Sequence, residues 1–473
     1  MTQRIDQNAR QDMPAQRAPF TTRQRCLLLA AFVLLVIGRI PRAWRFGRFQ
    51  DEEATVFLAY AWHHPWREAL FRPFAGYWNL AANATTLLVA RFVRGGGWPL
   101  EYAPYVTMTI ALAVQALPAV LILTGRAPWL ARRSTIALAL LFLAVAPGIE
   151  EVFFNVLHIQ FHLALCVALI LALDRPGRRG ARILYGLLLL IAPLCGPIAL
   201  VLLPLFALRA LADRDKGRFE QIGALAAGGA LQLLLFYAPS PMRGHPQSPG
   251  TIASTMLLRM AAMPALGFGK TEKLGEAIFQ SQVTGGYGWM IASAAAAIYF
   301  TALLLLALQR RDGAIWLLLS SLTIAIASFG FGMIVVVADA PYDLDSERYT
   351  FLPLMLLIFA LAAMAMRREF KPRWLCAVML LLCLMTGISR YPRPLPGLAD
   401  GPRWAAEVAI WRSDHRHPLA VWPRPYAADL SDRTVACTKM GLVQQGAKEP
   451  RYCEAGWYGA FQTSQTFPET RGN

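Results

Sequence analysis

The side chains of this sequence best suited to acid–base chemistry stand in short clusters. Asp51-Glu52-Glu53 falls within FQDEEATVFLAYAW, Glu150-Glu151 precedes VFFNVLHIQFH, and Asp339, Asp343, Asp345 and Glu347 crowd the stretch ADAPYDLDSER. A carboxylate in such a cluster can accept a proton from an attacking hydroxyl, which is general-base catalysis. Asp51 also sits where an N-cap or first-turn acid would stabilise the helix whose apolar and aromatic residues Val56, Phe57, Tyr60 and Ala61 follow at helical spacing. Arg348 closes the third cluster. Its planar guanidinium has the fork geometry that matches phosphate oxygens, and it could equally pair with Glu347 or Asp345. Tyr349 either hydrogen-bonds the same phosphate or belongs to the aromatic belt of a membrane interface. His158 and His162, four residues apart, share a helix face at a metal-ligand spacing. With no clear third ligand they read as hydrogen-bonded cleft residues, a divalent metal is not indicated, and the cofactor is left open. Gly76-Tyr77-Trp78, with Trp62, Trp66 and Trp98, forms an aromatic patch open to sugar stacking or to a place at the interface.

The elements that must position these groups are membrane helices. The chain has 473 residues, 56% of them hydrophobic and 16% charged, against roughly 25% charged in soluble domains. Mean hydropathy is +0.41. The formal charge of +17 does not point to nucleic acid, because much of the Lys and Arg lies in short clusters between apolar runs, as the positive-inside bias requires. The apolar runs predict an all-α polytopic protein with about eleven spans, at about 26–41, 104–125, 134–148, 157–173, 183–196, 197–211, 221–239, 286–309, 314–337, 349–366 and 374–390. The fifth and sixth meet at Cys195-Gly196-Pro197, where proline breaks the run. With the N-terminus in the cytoplasm, the Arg-dense loops 126–133, 174–182, 209–218, 310–312 and 367–373 all face inward. Segments 42–103, 240–285 and 391–473 then lie outside. The expected organisation is a disordered cytoplasmic tail over 1–25, a transmembrane domain over 26–390 with interfacial helices in its first outer loop, and a small extracytoplasmic C-terminal domain over 391–473. Among the seven cysteines, Cys437 and Cys453 in that last segment form a natural disulfide pair if it is extracytoplasmic. The segment TIASTMLLRMAAMPALGFGK reads as a re-entrant or surface helix near the site, or as plain packing against the bundle.

An acidic cluster in the first outer loop followed by amphipathic helices resembles the GT-C superfamily of integral membrane glycosyltransferases. The likeness covers about residues 26–390. RPFAGYWNLAANATTLLVARFV resembles the Gly-Tyr-containing interfacial helix of bacterial members, and EEVFFNVLHIQFHLAL their motif around the fourth span. LCGPIALVLLPL resembles their Gly-Pro kink, and SERYTFLPLMLL their Arg-Tyr-x-x-x-Pro element. The resemblance implies an enzyme of the bacterial plasma membrane that moves a sugar from a polyprenyl-phosphate donor to a hydroxyl of a glycan or lipid acceptor on the extracytoplasmic side, with inversion. It implies Asp51 as the base and Glu52 as its partner or the next candidate. Glu53, Tyr77, Trp78, His158 and His162 are the candidate acceptor or sugar contacts by residue type and position. A growing phosphate charge needs a preorganised cation, for which Arg348 is the leading candidate; Arg72, Arg91, Arg259 and Lys270 are weaker ones. There are two rival readings: a transporter or flippase of lipid-linked glycans, which would have the same aromatic and cationic linings, and an outer-face ligase or polymerase, which shares the donor chemistry but not the early Asp-Glu loop. Scarce ionisable groups within the spans and the lack of matching halves weigh against the transporter.

Overall fold

The structure is a computed structural model that describes residues 19–236, 246–309, 313–333, 342, 344, 346–367 and 372–431. It is mostly helical, with short two-residue strands as its only named sheets among those residues. Leu100–Thr124, Gly288–Leu308, Gly313–Gly332, Arg348–Ala365 and Arg373–Arg390 are long and apolar enough to cross a membrane, and Arg133–Val145 and Ile159–Ala172 are shorter apolar helices. The protein is a multi-pass membrane protein.

Position in the bundle follows from which faces are apolar. Every residue of Ile159–Ala172 is buried, and 89% of the apolar window of Arg348–Ala365 is buried, against 28% in Gly288–Leu308 and 22% in Arg373–Arg390. A helix apolar all round is stable either in a core or in lipid. The first two are the core. The last two present Ile291, Ile298, Leu305, Leu381 and Met385 outward, where lipid is as good a neighbour as protein.

The first helix runs Thr22–Arg39, four residues earlier than the apolar run predicts. Thr21 and Gln24 form a capping box: the Gln24 amide donates to Thr21 Oγ1 (3.3 Å) and the Thr21 amide to Gln24 Oε1 (3.0 Å), so polar residues start the helix. Residues 22–25 of the expected tail are therefore helical, and 1–18 lie outside the described residues. Helix Arg179–Cys195 ends at Gly196, and Pro197–Leu202 continues as a tight 3₁₀ turn into Leu203–Asp213. Proline accounts for the break, and Gln160 for the glycine, since a Cβ on Gly196 would lie 1.9 Å from Gln160 Oε1.

The segment after the first helix folds into Pro41–Phe46, a π-helical turn Glu53–Leu58, Ala59–His63, Trp66–Phe71 and Leu80–Gly96. The Gly-Tyr step expected within an interfacial helix is instead a hairpin. Ala75 and Gly76 both take positive φ (51° and 86°), pairing Phe74 with Tyr77 and Pro73 with Trp78, and the helix starts only after Asn79, whose side chain caps Ala82 (3.1 Å). A turn with positive φ at both centres closes a two-residue hairpin.

Residues 404–430 share one hydrophobic cluster with this segment. Phe49, Leu58, Trp62, Val89 and Leu100 pack with Trp404, Val408, Leu419 and Val421. Trp404 donates its indole N–H to the Leu100 carbonyl (2.9 Å) and meets Phe49 edge-on at 4.9 Å. Cys437 and Cys453 lie outside the described residues.

Candidate functional site

Four stretches far apart in sequence converge: 48–53 after the first helix, the 150–158 turn, residues 347–350 opening helix Arg348–Ala365, and residues 421–422 of the C-terminal segment. Chain pairing brings the last of these to the first. The Asp51 amide donates to the Trp422 carbonyl (2.7 Å) and the Trp422 amide to the Phe49 carbonyl (3.1 Å). Asp51 itself sits at φ +43°, a left-handed conformation that Asp and Asn tolerate better than most residues. The side chain of Asn155 ties the 48–53 stretch to the turn, donating to Gln50 Oε1 (3.1 Å) and the Glu151 carbonyl (2.9 Å).

The three acids of the first cluster have different surroundings. Glu53 is fully buried, and its carboxylate accepts from the backbone amides of Gln50 (3.1 Å) and Val156 (3.3 Å). It fastens the loop to the turn rather than facing an acceptor, and burial pushes its pKa up to about 7. Asp51 and Glu52 are half-buried. Burial, together with the negative charges of Glu52 and Glu151, pushes the Asp51 pKa up to about 7; the Arg348 guanidinium and a hydrogen bond from Gln50 act in the opposite direction. A carboxyl group poised there can hold or take a proton near neutrality.

Arg348 faces this acid group. Among the described residues it pairs with Glu151 rather than Glu347: its Nη1 donates to Glu151 Oε1 and its backbone amide to Oε2 (2.9 Å). Its side chain is 33% exposed, so the residue is not sealed within the bundle. It also lies 5.0 Å from the Tyr349 ring. One residue back on both partners, the Glu150 amide donates to Glu347 Oε2 (3.2 Å). Glu150 is held by Arg39 (2.7 Å), with Arg390 at 3.7 Å. Burial, the largest single influence, works to raise Glu150, but Arg39, the hydrogen bond with Glu347 and Arg390 together keep the group below the usual carboxylate range. Burial and then the Glu150 charge hold Glu347 well above that range. Two buried carboxyl groups side by side cannot both ionise. Arg39, Gln50, Asn155 and Arg390 were not singled out from sequence; for the two arginines the marker was a place bordering an apolar run, which the positive-inside rule absorbs as a charge flank.

The remaining expected residues take structural places. His158 donates Nδ1–H to the Glu151 carbonyl (2.8 Å). His162 reaches the Val152 carbonyl through Nε2 (3.0 Å). Each ring is committed to a different carbonyl of one turn, and among the described residues no three His, Cys, Asp or Glu side chains gather to hold an ion. Tyr77 is half-buried and accepts from Gln160 Nε2 (3.1 Å). Trp78 is buried, stacked on Phe236 at 4.2 Å, with its indole N–H on the Leu70 carbonyl (2.7 Å). That packing leaves no face of Trp78 for a sugar. Arg259 is buried and donates to Thr350 Oγ1 (3.0 Å), and its flanking Met260 and Met263 are buried too, so this segment packs against the bundle. Lys270 is exposed. Asp339, Asp343 and Asp345 lie outside the described residues. No family model, curated protein or solved structure matches the chain.

Proposed function

We propose that the protein is a membrane glycosyltransferase of GT-C type, transferring a sugar from a polyprenyl-phosphate donor to a hydroxyl of a glycan or lipid acceptor with inversion. The observation that carries this reading is the meeting of Asp51, poised near neutrality, with the part-exposed Arg348 side chain across Glu151. Asp51 is the base that takes the acceptor proton. As that oxygen bonds to the anomeric carbon, the bond from sugar to phosphate breaks and its electron pair leaves on the phosphate. Arg348 stabilises that oxyanion, and Glu151 holds the guanidinium in place beforehand, which is the form of electrostatic catalysis that needs least rearrangement. Glu52, next to Asp51, orients the acceptor hydroxyl. Tyr349, beside Arg348, donates to the same phosphate.

The reading further assigns the enzyme to a bacterial plasma membrane, with about eleven spans, a cytoplasmic N-terminus and the site on the outer side. The C-terminal segment from 391 is a cap seated on the first outer loop. A lipid-borne donor diffuses within the bilayer, so its scissile bond lies near headgroup depth, where helix ends such as Arg348 also lie. Purified protein given a labelled polyprenyl-phosphate sugar and a hydroxyl acceptor should release polyprenyl phosphate only when the acceptor is present. Transport of the intact lipid across a vesicle, with no release, would replace the enzyme by a flippase.

A further inference from the structure

We propose that the groove between helices Ala59–His63 and Leu80–Gly96 is a binding site for the phosphate headgroup of an anionic membrane phospholipid. It is an open groove of about 320 Å³ lined by Ala61, His64, Ala90, Arg91, Arg94 and Gly95. No Asp or Glu lines it, and among the described residues neither arginine pairs with a carboxylate. Arg94 is braced by donating to the Trp62 carbonyl. His64 is braced through Nδ1 to the Tyr60 carbonyl (3.0 Å) and stacks on the Tyr60 ring at 3.7 Å. Two cations three residues apart lie on one helix face, and arginine forks suit a phosphodiester.

The same helix supplies the reason to choose a lipid over a soluble anion. At 100° per residue, Leu88 and Phe92 lie beside Arg91 on the solvent-facing side, and they are 41% and 42% exposed. Trp98, 51% exposed, stacks on Phe92 at 5.5 Å. In water these surfaces would be unfavourable. In a multi-pass protein they fit the acyl region while the flanking arginines stay at headgroup depth, which is how an interfacial amphipathic helix sits. The site is independent of the reaction proposed above.

The test is native mass spectrometry of the full chain in neutral detergent, titrated with phosphatidylglycerol or with phosphatidylcholine of the same acyl chains. The first phosphatidylglycerol should bind about ten-fold tighter than phosphatidylcholine. That preference should fall in Arg91→Gln and vanish in Arg91→Gln/Arg94→Gln. It should survive in Arg178→Gln/Arg179→Gln, which removes as much charge from an exposed stretch elsewhere. A preference kept in the double variant overturns the site. Loss of the preference in millimolar inorganic phosphate overturns the lipid and assigns the groove to a free anion. Should Arg94→Gln unfold the loop by releasing Trp62, Arg91→Gln alone decides, since Arg91 bonds to no described residue.

Discussion

Replacing Asp51 by Asn should make the protein more stable and inactive at once. Asn keeps the size of the side chain and accepts the left-handed backbone at φ +43°, so the substitution isolates the charge. In the folded chain Asp51 titrates at about 7 instead of 3.8, chiefly because it is buried and then because Glu52 and Glu151 surround it. At about 1.36 kcal/mol per pH unit, the ionised carboxylate costs the fold about 4 kcal/mol, reduced to about 2–4 kcal/mol because the side chain keeps some contact with water. Between pH 3.8 and about 7 the folded state retains a proton that the unfolded state has lost. Wild-type stability therefore falls as pH rises through that window and levels off above it. The Asn variant carries no such penalty, so its advantage should be about a third of its full size at pH 5 and full at pH 8.5. With an unfolding entropy of about 2.1 cal/mol/K per residue, a chain of 473 residues gains about 1 °C per kcal/mol, giving about 2–4 °C at pH 8.5. Scanning fluorimetry in detergent measures it. An unchanged or lowered Tm at pH 8.5 would refute the argument that the acid is held in a charge-repelling site. The same variant should lose turnover by about 10²–10⁴-fold, the usual range for a general base, while still binding the donor; retained turnover would remove Asp51 as the base.

The rate of the wild-type protein should rise as pH passes through about 7, where Asp51 ionises, and then plateau; a profile flat from pH 5 to 9 contradicts the assignment. Arg348→Ala should weaken donor binding as well as slow turnover, roughly ten- to a hundred-fold in affinity for a lost charge-assisted contact, measured by binding of a labelled prenyl phosphate; wild-type affinity would take Arg348 out of the phosphate site. Trp422→Ala removes a fully buried side chain whose backbone holds the Asp51 amide, and should cost about 3–5 kcal/mol and reduce kcat with the donor affinity little changed, by the same two assays. Gly196→Ala would place a Cβ 1.9 Å from Gln160 Oε1, and should lower stability by about 1–3 kcal/mol; a melt indistinguishable from wild type would show that Gln160 swings aside without loss.

The sequence by itself determined the class of the molecule. Long apolar runs separated by arginines leave no soluble way to fold, and proline at 197 imposes the break that the structure places at Gly196, because both are local consequences of solvent and backbone chemistry. It also marked the acids and Arg348 as the side chains able to do proton and phosphate chemistry, since those types stand out from an apolar background. It did not distinguish among adjacent acids. Asp51, Glu52 and Glu53 read alike in a row, yet Glu53 is drawn inside by the amides of Gln50 and Val156. Nor did it give Arg348 its partner: Glu347 and Asp345 are near in sequence, whereas Glu151 arrives from 197 residues away. Only tertiary folding decided that Trp422 would hold the backbone of Asp51 and that Arg39 and Arg390 would meet Glu150. The physical reason is the same in each case. Burial and charge proximity set what a carboxyl group can do, and both depend on which distant segments pack together rather than on the order of residues along the chain.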